Sequence, residues 1–148
     1  MSDLNLTIRT TRVMKAPRHK VFRAWTDAAL LAQWWGPNGF TNTIQVFEPQ
    51  PGGAWRLTMQ GPDGATYPNE SRFIEVVPDQ RVVFEHLRPM HPFRAEVHFT
   101  DAPGGTHIDW RMIHPNKEEH DRVIGFVPQA NEENLDRLEG VLERMAVP

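Results

Sequence analysis

The sequence contains no cysteine, only two serines and a single tyrosine, and these absences remove several classes of protein. Without cysteine the chain cannot form disulfides, use a thiolate nucleophile or bind a metal through sulfur. The serines are Ser2 and Ser71, and neither stands in the G-x-S-x-G pattern of a hydrolase elbow. No glycine-rich stretch has phosphate-binding spacing, and the histidines include no HExxH or H-x-H pair. We therefore expect no metal and no cofactor.

Long apolar runs are missing as well. No window approaches the roughly 18 apolar residues of a membrane-spanning helix. The first residues, MSDLNLTIRTTRV, alternate apolar with polar side chains, whereas a signal peptide is continuously apolar in its centre. We expect a cytoplasmic protein without membrane insertion. Because the 148 residues show neither internal repeats nor linker-like composition, one domain spanning residues 1–148 is predicted.

The net charge is only −3, but the charges are unevenly distributed. Residues 9–23 contain arginine and lysine and no acid, whereas residues 117–148 contain more acids than bases. This asymmetry indicates either a docking surface for an acidic protein partner or two solvated charged faces. Nucleic acid is not expected as a partner, because the nearby aromatic residues, Phe22 and Trp25, are at helical core spacing.

Hydrophobic periodicity predicts a strand, two short helices, six further strands and a long terminal helix, which is an α+β fold. Alternation from Leu4 through Val13 gives the first strand. Helical spacing follows from Val21 to Gln33, where Thr26 or Asp27 is placed to cap the second short helix. From Thr41 to His114, apolar residues recur at every second position between short Pro-, Gly- and Asp-containing turns. Such short turns indicate antiparallel pairing.

The last segment, residues 128–145, is predicted to be an amphipathic helix. A shorter helix, from Lys117 to Phe126 with Asn116 as its N-cap, precedes it. The apolar stripe of the long helix consists of Leu135, Leu138, Val141, Leu142 and Met145. Asn131 and Asn134 continue the stripe toward the helix start. That end of the helix therefore either emerges into solvent or lines a cavity that contains water or ligand.

A curved seven-stranded antiparallel sheet with one apolar face needs a cover, and the long helix is the cover that the sequence offers. A strongly twisted sheet wrapped around one helix cannot touch it everywhere, so we expect a cavity between them. The residues that we expect to bind a small apolar or aromatic ligand there are Trp35, Trp55, Met59, Tyr67, Glu70, Arg72, Phe84, His86, Trp110, Met112, His114, Phe126 and Asn131. The alternative is that the aromatic and methionine side chains are packed core.

Several segments together resemble a known family. QWWGPNGF, after the second helix, is followed by PGGAWRLTMQGPDG, by YPNESRFIEVVPDQRVVFEH and by GGTHIDWRMI. These motifs resemble the domain homologous to activators of the heat-shock-protein-90 ATPase (AHSA-type), within the START-like (SRPBCC, polyketide-cyclase) superfamily. The resemblance covers nearly the whole chain and implies a helix-grip (Bet v-like) fold of order β-α-α-β6-α. Proteins on this fold bind lipids, cyclise polyketides or bind chaperones, so the fold alone implies no activity.

Three functions remain as hypotheses. The first is the binding of a small hydrophobic molecule between the sheet and the terminal helix. The second is a partner-binding or co-chaperone-like module, in which a protein partner or a second copy of the chain docks. The third is a cyclase-like or isomerase-like enzyme. Its catalytic candidates are Glu70 and His86, with Arg72 and His114 nearby and Tyr67 stabilising an enolate.

Overall fold

A computed structural model describes residues 6–88 and 92–146 of the chain. Four helices and seven strands occur in this part, and they follow the predicted order with one short helix before the long one. The elements are β1 (Thr7–Met14), α1 (Arg18–Thr26), α2 (Ala28–Trp34), β2 (Thr41–Phe47), β3 (Ala54–Gln60), β4 (Thr66–Val77), β5 (Arg81–Arg88), β6 (Phe93–Ala102), β7 (Gly105–Ile113), α3 (Lys117–Val123) and α4 (Val127–Ala146). Leu4, where the first strand was predicted to begin, lies outside the described residues.

All seven strands form one antiparallel sheet in the order β1-β7-β6-β5-β4-β3-β2. Strands β2 to β7 are therefore a meander in which each strand pairs with the next along the chain, as the short turns predicted. β1 joins the free edge of β7, with Ile8 opposite Met112 and Met14 opposite Thr106. The α+β helix-grip fold expected from the sequence is confirmed.

The two short helices begin and end where local chemistry dictates. Pro17 has extended φ/ψ and precedes α1. The Asp27 side chain accepts hydrogen bonds from the amides of Ala29 (3.0 Å) and Leu30 (3.3 Å), which confirms it as the N-cap of α2. After α2 the chain turns at Gly36, whose φ of +99° favours glycine. A Cβ there would lie 2.8 Å from Cε of Met59, so the turn also brings the backbone against β3.

The α4 helix covers one end of the sheet with its apolar stripe. Leu135, Leu138, Val141 and Leu142 are buried, and the helix packs against α1, α2 and β1. Burying each such side chain contributes about 2 kcal/mol to folding. The stripe thus ties the C-terminal helix to the N-terminal half of the chain. No helix in residues 6–88 and 92–146 is long and apolar enough to cross a membrane.

The basic and acidic segments pair with each other across β1 and α4. The guanidinium of Arg12 lies 2.7 Å from carboxylate oxygens of Glu132, Asp136 and Glu139. These acids lie on successive turns of α4, so the positive charge of Arg12 offsets part of their mutual repulsion. The basic and acidic segments therefore meet at the protein surface, where the three acid side chains are about half exposed. This pairing removes Arg12 from any set of free docking charges.

A second ion cluster makes stability depend on pH. Asp109 on β7 accepts hydrogen bonds from Arg9 (3.0 Å) and Arg111 (3.0 Å). Burial raises the pKa of the Asp109 carboxyl. The hydrogen bonds from Arg9 and Arg111 together lower it by a larger amount, so this pKa lies below its usual value. A carboxyl whose pKa is lowered by folding stabilises the protein above its unfolded pKa. That contribution is lost as the pH falls through the folded pKa.

We therefore expect Asp109→Asn to be less stable than wild type at pH 7, with the difference shrinking as the pH falls below about 4, the usual aspartate pKa. Urea unfolding of both proteins between pH 7 and pH 2.5 measures this difference. A gap that stays constant over the whole range would show that the Asp109 charge contributes no stability.

Candidate functional site

A cavity of about 300 Å³ lies between the inner face of the sheet and the first turns of α4. Its wall, called the cavity wall below, comes from α2 and the loop after it, from β3 to β7 and from the α3–α4 junction. It consists of Trp35, Gly36, Pro37, Trp55, Leu57, Met59, Asn69, Ser71, Phe84, His86, Phe93, Trp110, Met112, His114, Val123, Phe126, Val127, Asn131 and Asn134. Asn131 and Asn134 are buried, so this end of α4 lines the cavity and does not emerge into solvent.

The structure brings together most of the residues that the sequence singled out for the ligand site. Those in the cavity wall are Trp35, Trp55, Met59, Phe84, His86, Trp110, Met112, His114, Phe126 and Asn131. Three others are outside it, namely Tyr67, Glu70 and Arg72, all of them on β4. The predicted inward orientation on β4 is therefore wrong for Glu70 and Arg72, whereas Tyr67 shares the strand parity of Asn69 and Ser71 but is not in the wall.

A β-bulge explains the error on β4. Counting back by two from Val76, which packs on the core, assigns Ile74, Arg72 and Glu70 to the inner face. The β4–β5 register shifts between Phe73 and Glu75, so Ile74 is an extra residue with no partner position on β5. Before the bulge the parity is reversed, and Ser71 and Phe73 are the buried residues.

The acid–base set proposed from sequence does not converge. Glu70 lies on the outer face, 3.7 Å from Arg56, and Arg72 is exposed. Tyr67 is 43% exposed and packs against Phe40 outside the cavity wall, at a ring distance of 6.1 Å. Glu70 is therefore withdrawn as a catalytic candidate, and Tyr67 and Arg72 as its helpers.

Sequence reasoning missed several wall residues. Asn69 and Ser71 face inward because of the same bulge, and no glycine or proline near Ile74 marks it in the sequence. Phe93 shares its strand parity with Ala95 and could have been found by extending β6 by one step. The remaining members come from loops and from the α3–α4 junction, where periodicity carries no information: Gly36, Pro37, Val123 and Val127.

Trp35 is the centre of an aromatic cluster that forms one side of the cavity wall. Its ring centroid lies 5.0 Å from that of Trp55, 5.8 Å from Trp110 and 6.3 Å from Phe84. Trp25 packs on the other side at 5.7 Å, outside the wall. Tilted and edge-to-face pairs of this kind contribute about 0.5–1.5 kcal/mol each beyond area burial. The cluster makes this side of the wall rigid.

The loop that carries Trp35 is tied to α4 through its backbone. The amide of Gly36 donates to Oδ1 of Asn134 (2.7 Å), and the amide of Asn38 donates to Oε1 of Glu133 (2.9 Å). Arg137 donates to the carbonyl oxygens of Gly36 (2.7 Å) and of the adjacent residues. Glu133 and Arg137 are at the i,i+4 spacing of a helical ion pair, but both side chains serve this loop instead. Burial lowers the pKa of Arg137 from its usual value.

We expect Asn134→Ala to loosen this loop. The substitution removes the acceptor of the Gly36 amide, so hydrogen exchange at that amide should accelerate about tenfold, the equivalent of one ordinary hydrogen bond. Amide exchange followed by NMR measures it. The Ala29 amide, which bonds to Asp27 at 3.0 Å, is the internal control and should keep its rate. Unchanged exchange at Gly36 would show that Asn134 does not restrain the loop.

A row of rings runs along another side of the cavity wall. His86 stacks on Phe93 at 4.8 Å, Phe93 lies 5.6 Å from His114, and His114 lies 5.9 Å from His120. The buried His114 ring has Nδ1 3.2 Å from the carbonyl oxygen of Leu6. Because a carbonyl oxygen only accepts, Nδ1 is the donor of this hydrogen bond. Among the described residues no group of three or more His, Asp or Glu side chains could hold a metal ion.

The fold and the cavity wall together define a class, the START-like helix-grip proteins, in which a curved antiparallel sheet grips a long C-terminal helix. Within it, the chain belongs to the family of activator of Hsp90 ATPase homolog 1-like proteins, whose sequence model matches residues 15–143. The resemblance noted from the motifs is thereby confirmed. Among curated proteins, none matches the chain.

Solved structures of bacterial proteins share the fold over nearly the whole chain. A crystal structure from Nitrosomonas europaea has a TM-score of 0.87 at 22% identity, covering 98% of this chain and 99% of that one. One from Rhodobacter sphaeroides has a TM-score of 0.86 at 25% identity, covering 95% and 94%. One from Mycobacterium smegmatis has a TM-score of 0.86 at 21% identity, covering 97% and 95%. These likenesses establish the architecture.

Proposed function

We propose that the protein binds a small, largely apolar molecule in the cavity between the sheet and α4. The observation that carries the proposal is the volume of about 300 Å³ behind a wall of tryptophan, phenylalanine and methionine side chains. Protein interiors are packed as densely as organic crystals, and voids larger than a water molecule are few. The volume of this cavity is at the lower end of the range for sites that bind small molecules, and its mostly apolar lining is typical of such sites.

The composition of the wall supports an apolar ligand. Its six aromatic side chains are Trp35, Trp55, Phe84, Phe93, Trp110 and Phe126. An apolar ligand would make the dispersion contacts that side chains lining a void lack. His86 and the buried His114 are the titratable members of the wall, and they would orient a ligand through its polar atoms.

The other two hypotheses have weaker support. Because the chain belongs to this family, the binding of a protein partner on its surface remains an alternative function. The charge argument for it has weakened, because Arg9 pairs with Asp109 and Arg12 pairs with α4. The enzyme hypothesis needed Glu70 beside His86, and Glu70 lies on the opposite face of the sheet. Ligand binding therefore remains the leading function.

Titration with fluorene, a rigid apolar tricycle, tests the proposal. We expect a complex of one protein with one fluorene in native mass spectrometry and a rise in melting temperature. We also expect a change in tryptophan fluorescence, because Trp35, Trp55 and Trp110 line the cavity. Absence of a complex, together with an unchanged melting temperature at saturating fluorene, would overturn the proposal for this class of ligand.

A further inference from the structure

The cavity wall contains a buried amide whose oxygen the protein leaves unused. Asn131, near the start of α4, is only 4% exposed. Its Nδ2 lies 3.3 Å from Oγ1 of Thr10 and 3.4 Å from Sδ of Met112. Because a thioether sulfur only accepts, the group on this side of the amide is the NH₂, and Oδ1 points the other way. Oδ1 accepts no hydrogen bond from the described residues.

The unused oxygen of Asn131 also retains accessible surface. Inaccessible side-chain atoms without a partner do occur in the part of the chain that the structure describes, Nε1 of Trp25 being one, and Oδ1 of Asn131 is not one of them. The open space that Asn131 borders is the cavity. Since more than nine in ten buried polar groups in proteins have a partner, this oxygen calls for a donor inside the cavity.

The neighbouring polar side chains of the wall do not make the same demand. Oδ1 of Asn134 accepts from the Gly36 amide at 2.7 Å, and its Nδ2 donates to the carbonyl oxygen of Ala130 at 2.9 Å. The hydroxyl of Ser71 can donate as well as accept, so it does not discriminate between ligands. The oxygen of Asn131 can only accept, which makes Asn131 the selective group of the wall.

We propose that the molecule bound in the cavity is a largely apolar ring compound that carries a neutral hydrogen-bond donor, a hydroxyl, which bonds to Oδ1 of Asn131. Among the described residues the wall contains no aspartate or glutamate, so a charged ammonium donor would be buried without a counter-ion. A ligand without any donor displaces water from Oδ1 and leaves this oxygen unpaired, which weakens its binding. This inference rests on the proposed ligand-binding function and specifies the chemical class of its ligand.

Three matched ligands separate this inference from the parent proposal. Fluorene has no polar atom, 2-hydroxyfluorene adds a hydroxyl donor, and 2-methoxyfluorene keeps the oxygen but lacks the donor. We expect 2-hydroxyfluorene to bind about tenfold more tightly than either of the others, the effect of one well-made hydrogen bond. Calorimetric or fluorescence titration gives the three dissociation constants. An affinity for 2-hydroxyfluorene no higher than that for 2-methoxyfluorene would overturn the inference and leave the proposed function standing.

A leucine substitution at Asn131 tests which group receives the donor. Leucine has the same branching as asparagine and extends the apolar stripe of α4, so the helix should stay packed on the sheet. In Asn131→Leu the preference for 2-hydroxyfluorene over fluorene should disappear. Gln129→Leu is the matched control, because it removes an exposed amide of the same helix outside the cavity wall and should keep the full preference. A preference that survives in Asn131→Leu would overturn the assignment to this residue.

Carboxamide NMR signals provide a second measurement that needs no folded variant of the wall. In ¹³C,¹⁵N-labelled wild-type protein, 2-hydroxyfluorene should move the carboxamide carbon signal of Asn131 downfield, because its oxygen then accepts a hydrogen bond. The same rings in 2-methoxyfluorene should not produce this shift, and the Gln129 signal should stay in place with both ligands. Absence of the downfield shift at saturating 2-hydroxyfluorene would overturn the donor inference alone. Binding of none of the three ligands would overturn the proposed function as well.

Discussion

Replacing Leu138 with alanine is expected to lower the free energy of unfolding by about 3 kcal/mol, the usual cost of such a truncation in a packed core. Leu138 is completely buried in the middle of the α4 stripe, between Leu135 and Val141. The loss has two parts, the apolar surface no longer buried and the cavity left behind. The effect is large because the stripe ties α4 to α1, α2 and β1.

Urea unfolding of Leu138→Ala measures this effect, with Glu143→Ala as the matched control. Glu143 is on the same helix and is exposed, so its truncation should change the free energy of unfolding by less than about 0.5 kcal/mol. If Leu138→Ala were as stable as the control, α4 would not be packed against the rest of the chain. The cavity would then lack the side that α4 forms.

Replacing Ser71 with phenylalanine is expected to weaken fluorene binding about a hundredfold, which corresponds to the loss of a few kcal/mol of apolar burial. Ser71 is 7% exposed and faces the cavity from β4, opposite Trp55 on β3 and His86 on β5. A phenyl ring at this position has to project into the 300 Å³ space, where it takes the place of the ligand.

Arg72→Phe is the matched control for Ser71→Phe. It adds the same ring one residue further along β4, on the exposed outer face, and should leave fluorene binding unchanged. Circular dichroism and thermal unfolding establish that both variants fold. If Ser71→Phe bound fluorene as tightly as Arg72→Phe does, the binding site would not be this cavity.

The fold could be predicted from the sequence because its signals are local and redundant. Alternating apolar residues define each strand, short turns such as the one at Gly104 force antiparallel pairing, and Asp27 and Asn116 cap their helices through their own side chains. Each of these features acts within a few residues. The order of the sheet then follows from a meander of six strands with β1 added at one edge.

The site was less predictable, because side-chain direction depends on features without a sequence signal. One bulge residue, Ile74, reversed the assignment of Glu70 and Arg72 and hid Ser71. The pairing of Arg12 with α4 depends on the contact of β1 with the last helix, more than a hundred residues away in sequence. Neither periodicity nor composition indicates that these two segments are in contact.

The QWWGP motif, on which the family resemblance partly rests, has a structural role. Trp34 anchors α2 on α1 through its bond to Ala24, and Trp35 is the aromatic centre of the cavity wall. Gly36 makes the turn at positive φ and bonds to Asn134. The motif therefore connects α2, the cavity and α4, which no single residue in it reveals.

Methionine-methyl NMR during titration with fluorene tests the central claim most directly. Met59 and Met112 are in the cavity wall, while Met14 is completely buried outside it. If an apolar molecule enters the cavity, the methyl signals of Met59 and Met112 should shift and saturate together, and that of Met14 should stay in place. Saturating fluorene that leaves the Met59 and Met112 signals unmoved would contradict the account.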